Sequence, residues 1–150
     1  MRALVQRVSE GGVYIEKEDY SAKIGKGMVI LLGIKTGDTE EDVNFVADKC
    51  SNLRIFEDEN EKMNLSIKDV MGEALIISQF TLYGDTAKGN RPGFTEAARP
   101  EEAIPLYEKF IERLKSNIGE EKVKTGQFRA MMLVKIMNDG PVTLTVESKR

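Results

Sequence analysis

The chain contains no histidine, no tryptophan and a single cysteine, Cys50, among its 150 residues. The lack of histidine excludes a histidine general base, a histidine metal ligand and an imidazole partner for a nucleophile. One cysteine excludes an internal disulfide, and we expect a buried structural thiol because no imidazole is present to activate it. No cluster of metal-ligand residue types is apparent, so we expect neither a metal nor a cofactor. Any chemistry must use hydroxyl groups, backbone amides, carboxylates or the substrate itself.

Long apolar runs are also missing from the N-terminal region, which carries charges at Arg2 and Arg7. We therefore expect no signal peptide and no membrane anchor, and we predict a cytoplasmic protein. The net charge of −3 argues against nonspecific binding along a nucleic-acid backbone, although it permits recognition of one RNA terminus. The stretch from Gly84 to Arg99, where basic residues occur among glycines with little apolar pattern, is slightly basic, and such stretches are most often solvated surface loops.

The length and the 41% apolar content fit one domain over residues 1–150. Two strands, 1–8 and 13–17, are predicted to form a hairpin that turns at Gly11 and Gly12. Further strands are predicted from short apolar runs at 28–34, 53–56, 74–77, 131–137 and 142–147. The charged segment 57–62 between two of these strands should be exposed.

Two amphipathic helices complete the predicted fold. The first begins near Asp38 or Thr39, where Asp38 and Glu41 have capping-box spacing. The second begins at Pro100 and ends before Gly119. The sequence therefore predicts an α+β single domain, with a large, mainly antiparallel, barrel-like sheet and two covering helices.

One polar segment, Ser78-Gln79-Phe80-Thr81-Leu82-Tyr83, follows an apolar strand. If the strand continues, Ser78 and Phe80 share one face and Gln79 and Thr81 the other. Buried without partners, these polar groups would cost a few kcal/mol each, so they either bond one another or face a cavity. A strand that simply reaches the surface explains the segment equally well.

A second segment, Asn138-Asp139-Gly140-Pro141, has the composition of an ordinary hairpin turn. Pro141 argues against that interpretation, because it directly precedes the apolar run 142–146, and a proline that enters a strand fixes the backbone and removes an N–H donor. A Gly-Pro bond is readily cis, which would present carbonyls outward as acceptors for an amine.

Several separate motifs together resemble the D-aminoacyl-tRNA deacylases, which cleave the ester that joins a D-amino acid to tRNA. The matching motifs are Gln6-Arg7-Val8, Leu31-Leu32-Gly33, Arg54-Ile55-Phe56, Lys62-Met63-Asn64-Leu65, Ser78-Gln79-Phe80-Thr81-Leu82, Arg91-Pro92-Gly93-Phe94, Thr125-Gly126 and Asn138-Asp139-Gly140-Pro141-Val142-Thr143.

The resemblance implies a homodimer with active sites at the subunit interface and the aminoacyl-tRNA 3′ end as partner. Gly140-Pro141 would be cis and reach into the other subunit's pocket, where its carbonyls bind the substrate amino group and exclude an L side chain. Arg7 would support this loop, Asn138 belongs to the same substrate-binding segment, and Phe94 would lie near the terminal adenosine.

The resemblance also assigns the catalytic segment to Ser78, Gln79, Phe80 and Thr81, with the Phe80 amide facing the scissile ester. Two mechanisms remain open: a Thr81 acyl-enzyme, or assistance by the 2′-hydroxyl of the terminal ribose. Without histidine or an adjacent lysine Thr81 lacks an evident base, so we favour the second. After Thr125-Gly126 the family usually has small residues and an acidic residue before methionine, whereas this chain has Arg129 and Met131.

Other functions share these features. A noncatalytic module that binds an RNA end or a small ligand would keep the fold and the pocket, and turnover would distinguish it from an enzyme. An editing relative aimed at achiral or L-aminoacyl-tRNA is a closer alternative. Glycyl-tRNA and L-aminoacyl-tRNA substrates would identify it.

Overall fold

The computed structural model of the protein describes residues 1–148. The strands are β1 (Arg2–Ile15), β2 (Tyr20–Ile24), β3 (Gly27–Gly33), β4 (Phe56–Glu57), β5 (Met63–Leu65), β6 (Glu73–Ser78), β7 (Val123–Thr125) and β8 (Leu133–Glu147). The helices are α1 (Glu40–Asn52) and α2 (Pro100–Ile118), with short 3-10 helices at Glu16–Glu18, Phe80–Tyr83 and Glu120–Lys122.

The long strand β1 organises the main sheet. It pairs antiparallel with β2, β3 and β8, whereas β6 lies parallel to β3 and β7 parallel to β6. A hydrogen bond of 2.7 Å from the Tyr20 hydroxyl to the Thr125 carbonyl connects β2 to β7 at the far side of the sheet. The sheet is therefore mixed and nearly closed, as the predicted barrel-like α+β domain requires. β4 and β5 form a separate two-stranded ribbon.

Successive side chains of a strand point to opposite faces of the sheet. Apolar side chains therefore cover both faces of this curved sheet. One cluster lies between the sheet and the two helices and includes Val5, Ile30, Val46 and Phe110. The other lies inside the curve and includes Val8, Val29 and Leu75. Cys50 is fully buried in the first cluster, and burial raises the pKa of its thiol to about 12. The prediction of a structural cysteine is confirmed.

The predicted hairpin at Gly11 and Gly12 is wrong, and so is the interpretation of residues 138–141 as an ordinary hairpin turn. β1 runs unbroken through Gly11 and Gly12, and a side chain at Gly11 would come within 2.9 Å of Val29 Cγ2 inside the sheet. Glycine is present there because of close packing, not because of a turn. Residues 138–141 likewise lie within the single strand β8, which pairs with β1 along almost its whole length.

The helices agree with the prediction except at one cap. α2 begins at Pro100, and Gly119 ends it with φ +113 and an N–H bond of 2.8 Å to the Lys115 carbonyl. At the start of α1 the Asp42 carboxylate accepts the Thr39 N–H at 2.8 Å, so the capping pair is Thr39 with Asp42. Asp38 accepts the Lys35 N–H instead.

Three short strands, β2, β5 and β7, and the three 3-10 helices were not predicted. No helix in the part of the chain that the structure describes combines the length and apolar character needed to cross a membrane.

Candidate active site

The polar segment after β6 leaves the sheet at once. β6 ends at Ser78, the Gln79 N–H donates a hydrogen bond of 2.8 Å to the Leu32 carbonyl, and Phe80–Tyr83 form a 3-10 helix. The strand does not continue beyond Ser78, so the alternation of side chains that a longer strand would have produced does not occur. The helical turn groups the polar residues at the end of the parallel strands β3 and β6.

The backbone amides of Phe80 and Thr81 make no hydrogen bond with the described residues. A 3-10 helix leaves its first amides without an intrahelical partner, and here the helical bonds begin with Leu82 N–H to the Gln79 carbonyl at 3.2 Å. Within residues 1–148, no other carbonyl or side chain accepts the Phe80 or Thr81 N–H. Two successive amide donors are thus available to a ligand with negative charge.

The side chains of Gln79 and Thr81 satisfy each other, as one of the alternatives from sequence predicted. The Gln79 amide donates a short hydrogen bond to Thr81 Oγ1. An amide N–H cannot accept a proton from the hydroxyl, so this contact does not activate Thr81 as a nucleophile. The nearby Tyr83 hydroxyl is no base either, because burial raises the pKa of Tyr83 to about 12.

A cavity of about 730 Å³ opens beside this segment. Its lining is mostly apolar, and the residues that form it are Leu32, Ile34, Ile77, Ser78, Gln79, Phe80, Phe94, Ala97, Ala98, Pro100, Ala103, Phe128, Arg129, Ala130, Met131, Met132 and Val134. Apolar walls with a few polar groups are typical of small-ligand sites of this size. Ser78, Gln79, Phe80 and Phe94 are brought together there, whereas Thr81 does not line the cavity.

Two exposed aromatic rings form one side of the cavity. Phe80 is 56% exposed and Phe94 is 38% exposed, and their ring centroids lie 5.1 Å apart in an edge-on arrangement. The face of an exposed aromatic ring is a surface on which a nucleobase can stack. Phe94 is carried by the loop between residues 84 and 99, which is largely exposed as predicted.

Another side of the cavity comes from residues 128–134, which the sequence did not assign to the site. Phe128 packs on Tyr107 of α2 with ring centroids 5.7 Å apart, and Met131 is 85% exposed. Arg129 is the only ionisable residue among the described residues that line the cavity. The departure from the family pattern at Arg129 and Met131 was the signal that could have pointed to this wall.

The Gly140-Pro141 segment is an exposed excursion within β8. Asn138 pairs with Val8 and Thr143 with Gln6, so four residues of β8 lie opposite Arg7 alone. The Gly140–Pro141 peptide bond is cis and Gly140 has φ +124. Both residues are exposed to solvent.

The side chain of Arg7 connects this excursion to the rest of the fold by hydrogen bonds. Its Nε donates a hydrogen bond of 3.1 Å to the Asp139 carbonyl, and its Nη1 donates one of 2.8 Å to the Ile55 carbonyl. The Asn138 side chain closes the excursion by donating to Thr143 Oγ1 at 2.9 Å and accepting the Val142 N–H at 3.3 Å.

In one chain the excursion lies apart from the cavity. The register of the sheet sets Arg7 opposite Met28 of β3, which lies beside Ala74 of β6. Ser78 lies four residues farther along, on the order of 13 Å, and β8 is three strand positions away from β6. The cavity lining accordingly contains neither Gly140 nor Pro141.

Over residues 1–148, no group of three or more His, Cys, Asp or Glu side chains is positioned to hold a metal ion. The cavity itself supplies hydroxyl, amide and backbone groups, with Arg129 as its one charge.

Comparison with known proteins shows the family to which the chain belongs. The sequence model of the family described as "D-Tyr-tRNA(Tyr) deacylase" matches residues 4–147. The chain is 57% identical to a D-aminoacyl-tRNA deacylase from Exiguobacterium sp., over 98% of each chain. It is 53% identical to one from Thermotoga petrophila, over 100% of this chain and 99% of the other.

Two solved structures share the fold. One, titled "c-Myc DNA Unwinding Element Binding Protein", is 41% identical, with a TM-score of 0.93 and full coverage of both chains. The other, titled as a probable eukaryotic D-amino acid tRNA deacylase, is 17% identical, with a TM-score of 0.85 and 98% coverage of each, and supports the fold alone. With a family match over nearly its whole length and relatives more than half identical, the chain belongs to the D-Tyr-tRNA(Tyr) deacylase family.

Proposed function

We propose that this protein is a hydrolase that cleaves the ester bond of D-aminoacyl-tRNA and releases the free D-amino acid and tRNA. The observation that carries the proposal is the full-length similarity to proteins named D-aminoacyl-tRNA deacylase, at more than half identity. Because aminoacyl-tRNA is consumed by ribosomes, the proposal also assigns the protein to the cytoplasm.

The geometry supports a site for the aminoacylated 3′ end. The exposed rings of Phe80 and Phe94 offer a stacking surface for the terminal adenine, and the cavity beside them takes the ester. The Phe80 amide, which has no acceptor in residues 1–148, donates to the oxygen that becomes negative when water attacks the ester carbonyl. One such donor contributes about 3–4 kcal/mol to transition-state stabilisation, which is substantial for an activated ester.

The group that assists the proton transfers is part of the substrate and not a side chain of the protein. The water oxygen bonds to the carbonyl carbon, the bond from that carbon to the ribose oxygen breaks, and the leaving oxygen takes a proton. No carboxylate, lysine or histidine lines the described cavity, whereas the 2′-hydroxyl of the terminal ribose is adjacent to the ester. Thr81 Oγ1 already accepts a hydrogen bond from Gln79 and lies outside the cavity. Substrate assistance therefore fits better than a Thr81 acyl-enzyme.

We further propose that the working unit is a homodimer in which the Gly140-Pro141 excursion of one copy enters the cavity of the other. Three features support this: the excursion is exposed, it lies apart from the cavity of its own chain, and Arg7 and Asn138 hold its shape. Outward carbonyls of the excursion would bind the substrate ammonium and leave room at the α-carbon for a D side chain only.

The free edge of β8 supports association of two copies. β8 pairs with β1 on one side, and no strand among residues 1–148 pairs with its other side. Leu133 is 72% exposed, Met137 is 46% exposed and Leu144 is 39% exposed along this strand. Long exposed edges with apolar side chains are normally covered by another chain.

Turnover tests the proposed activity. D-tyrosyl-tRNA is incubated with protein at one hundredth of its concentration, and release of D-tyrosine is followed against a protein-free control for spontaneous hydrolysis. The enzyme deacylates many equivalents of substrate for each active site. A module that only binds the RNA end would leave the rate at the spontaneous value or slow it, and either result would contradict the proposal.

A further inference from the structure

Arg129 occupies a backbone position that normally belongs to glycine. The Ala130 N–H donates a hydrogen bond of 3.2 Å to the Gln127 carbonyl, which closes a four-residue turn with Arg129 as its third residue. The φ of Arg129 is +68, and third positions with positive φ in such turns favour glycine or asparagine. A side chain retained at an unfavourable backbone position is a reason to look for a function.

The turn fixes the arginine at the mouth of the cavity. The residue before it, Phe128, packs on Tyr107, and the residue after it, Ala130, packs against the interior cluster of the sheet. Arg129 itself is exposed and lines the cavity that also contains Phe80 and Phe94. Its neighbours therefore anchor the turn while its own side chain faces solvent at the entrance.

The guanidinium of Arg129 has no hydrogen bond or ion pair with any residue from 1 to 148. Glu101, whose carboxyl is influenced by the charge of Arg129, already accepts a hydrogen bond from Arg99 Nε at 3.1 Å. The pKa of the Glu101 carboxyl is lowered first by its own backbone N–H and next by the hydrogen bond from Arg99, whereas the charge of Arg129 lowers it less. Arg99 and Glu101 thus largely neutralise each other, and Arg129 leaves one positive charge at the entrance of an otherwise uncharged cavity in an acidic protein.

We propose that Arg129 binds the backbone phosphate next to the terminal adenosine of the RNA and positions the 3′ strand at the cavity entrance. This inference rests on the proposed function. An adenosine stacked on Phe80 and Phe94 directs its 5′ phosphate out of the cavity, where a guanidinium is the preferred protein group for a phosphate. The exposed location favours a phosphate over the substrate's amino-acid side chain, which would be inside the cavity.

The test uses two variants that separate charge from structure. Arg129→Gly removes the guanidinium at a φ that glycine adopts freely, so thermal stability should stay equal or rise. Arg129→Lys keeps the charge. Lys68→Gln is the matched control, because Lys68 is an exposed lysine that precedes β6, and the first residue of β6, Glu73, is roughly 17 Å from Ser78 along that strand.

The first measurement is the affinity of the full-length protein for uncharged single-stranded RNA ending in CCA, as a function of salt. We expect Arg129→Gly to weaken binding about tenfold and to reduce the slope of log K against log salt by about 0.7, the value for one phosphate contact on a single strand. Arg129→Lys should retain the slope, and Lys68→Gln should leave both quantities unchanged. An unchanged affinity and slope in Arg129→Gly would overturn the inference.

The second measurement compares kcat/KM on D-tyrosyl-tRNA with kcat/KM on 3′-O-(D-tyrosyl)adenosine, which has no phosphate. Arg129→Gly should lose about tenfold on the tRNA and nothing on the nucleoside ester. Equal loss on both substrates, or a loss confined to D-aspartyl-tRNA, would contradict a phosphate contact. If the unaltered protein hydrolyses neither substrate, the proposed function is wrong, and the RNA-binding measurement still decides the role of Arg129.

Discussion

The guanidinium of Arg7 links the carbonyl of Asp139 to the carbonyl of Ile55, through hydrogen bonds of 3.1 Å and 2.8 Å from two different nitrogens. The side chain of Arg7 is only 8% exposed, with Glu57 and Asp139 carboxylates each 3.8 Å away. The buried Arg7 side chain thus connects the excursion of β8 to Ile55, which lies in the segment between α1 and β4. The position of Gly140-Pro141 is therefore fixed by the core and not by the loop alone.

Arg7→Lys should release the excursion. A lysine ammonium is a single point donor and cannot reach both carbonyls in the fork geometry of arginine. We expect the free energy of unfolding to fall by about 1–3 kcal/mol, because one buried carbonyl loses its donor, and kcat/KM on D-aminoacyl-tRNA to fall at least about tenfold. Denaturant unfolding and steady-state kinetics measure the two effects.

Arg113→Lys provides the control for this change. Arg113 also makes a two-nitrogen contact, to Asp48, but on the exposed surfaces of α1 and α2. Its replacement should alter stability less and leave kinetics unchanged. Equal kinetic effects from both variants would show that Arg7 has no special connection to the site.

Gly140→Ala should impair the excursion for steric reasons. A Cβ at this position would lie 2.9 Å from Val142 Cγ2 and 3.0 Å from Arg7 Nη2, and φ +124 is unfavourable for any L residue. We expect a cost of about 1–3 kcal/mol at the excursion and a loss of activity of at least tenfold. Gly89→Ala is matched to it, since φ is +65 there and no atom lies within 4 Å of the added Cβ. That variant should retain full activity, and a fully active Gly140→Ala protein would refute the role of the excursion.

The mechanism predicts that a protein hydroxyl matters less than a substrate hydroxyl. Thr81→Ala should keep activity within about tenfold of the unaltered protein, because Thr81 Oγ1 lies outside the cavity and only accepts from Gln79. D-Tyrosyl-tRNA with a 2′-deoxy terminal adenosine should react at least about 100-fold more slowly while binding normally. Single-turnover kinetics on both substrates measure the difference. A covalent D-tyrosyl adduct on Thr81, detected by mass spectrometry during turnover, would establish the opposite mechanism.

If two copies associate through β8 as proposed, the protein in solution should have the mass of a dimer. Sedimentation at micromolar concentration should give about twice the chain mass of 16.8 kDa. Leu133→Lys adds a charge to the exposed edge strand and should shift the protein toward monomer with a parallel loss of activity. Met63→Lys is the control, since Met63 is 56% exposed on β5, away from this strand. A monomer with full activity would rule out a site shared between subunits.

The sequence allowed the helices and the class of fold to be predicted, because these depend on local signals. The stripe of α2, with Ala103, Tyr107, Phe110 and Leu114 buried, and Pro100 at its start, determines that helix without knowledge of its neighbours. The family resemblance assigned residues 78–81 and Phe94 to one site, and of these residues 78–80 and Phe94 line the same cavity whereas Thr81 does not.

The errors come from positions where a distant strand decides the local conformation. Gly11 looks like a turn residue, yet it is required by Val29 in β3, and the turn-like composition of 138–141 is accommodated within one strand because β1 continues beside it. The spacing of residues could not predict the cavity wall at Arg129 for the same reason. Arg129 and Phe80 line the same cavity only because the folded chain brings these distant segments together. Secondary-structure propensity describes one segment of the chain, whereas the conformation at these positions depends on the strand or segment that packs beside it.

The most direct test of the account compares kcat/KM for D-tyrosyl-tRNA and L-tyrosyl-tRNA under identical conditions with substoichiometric protein. Glycyl-tRNA serves as the achiral substrate in the same series. We predict repeated turnover of the D ester and a rate on the L ester no greater than spontaneous hydrolysis, because in the proposed homodimer the excursion of the second subunit would leave no room for an L side chain. Equal turnover of both enantiomers, or turnover of the L ester alone, would contradict it.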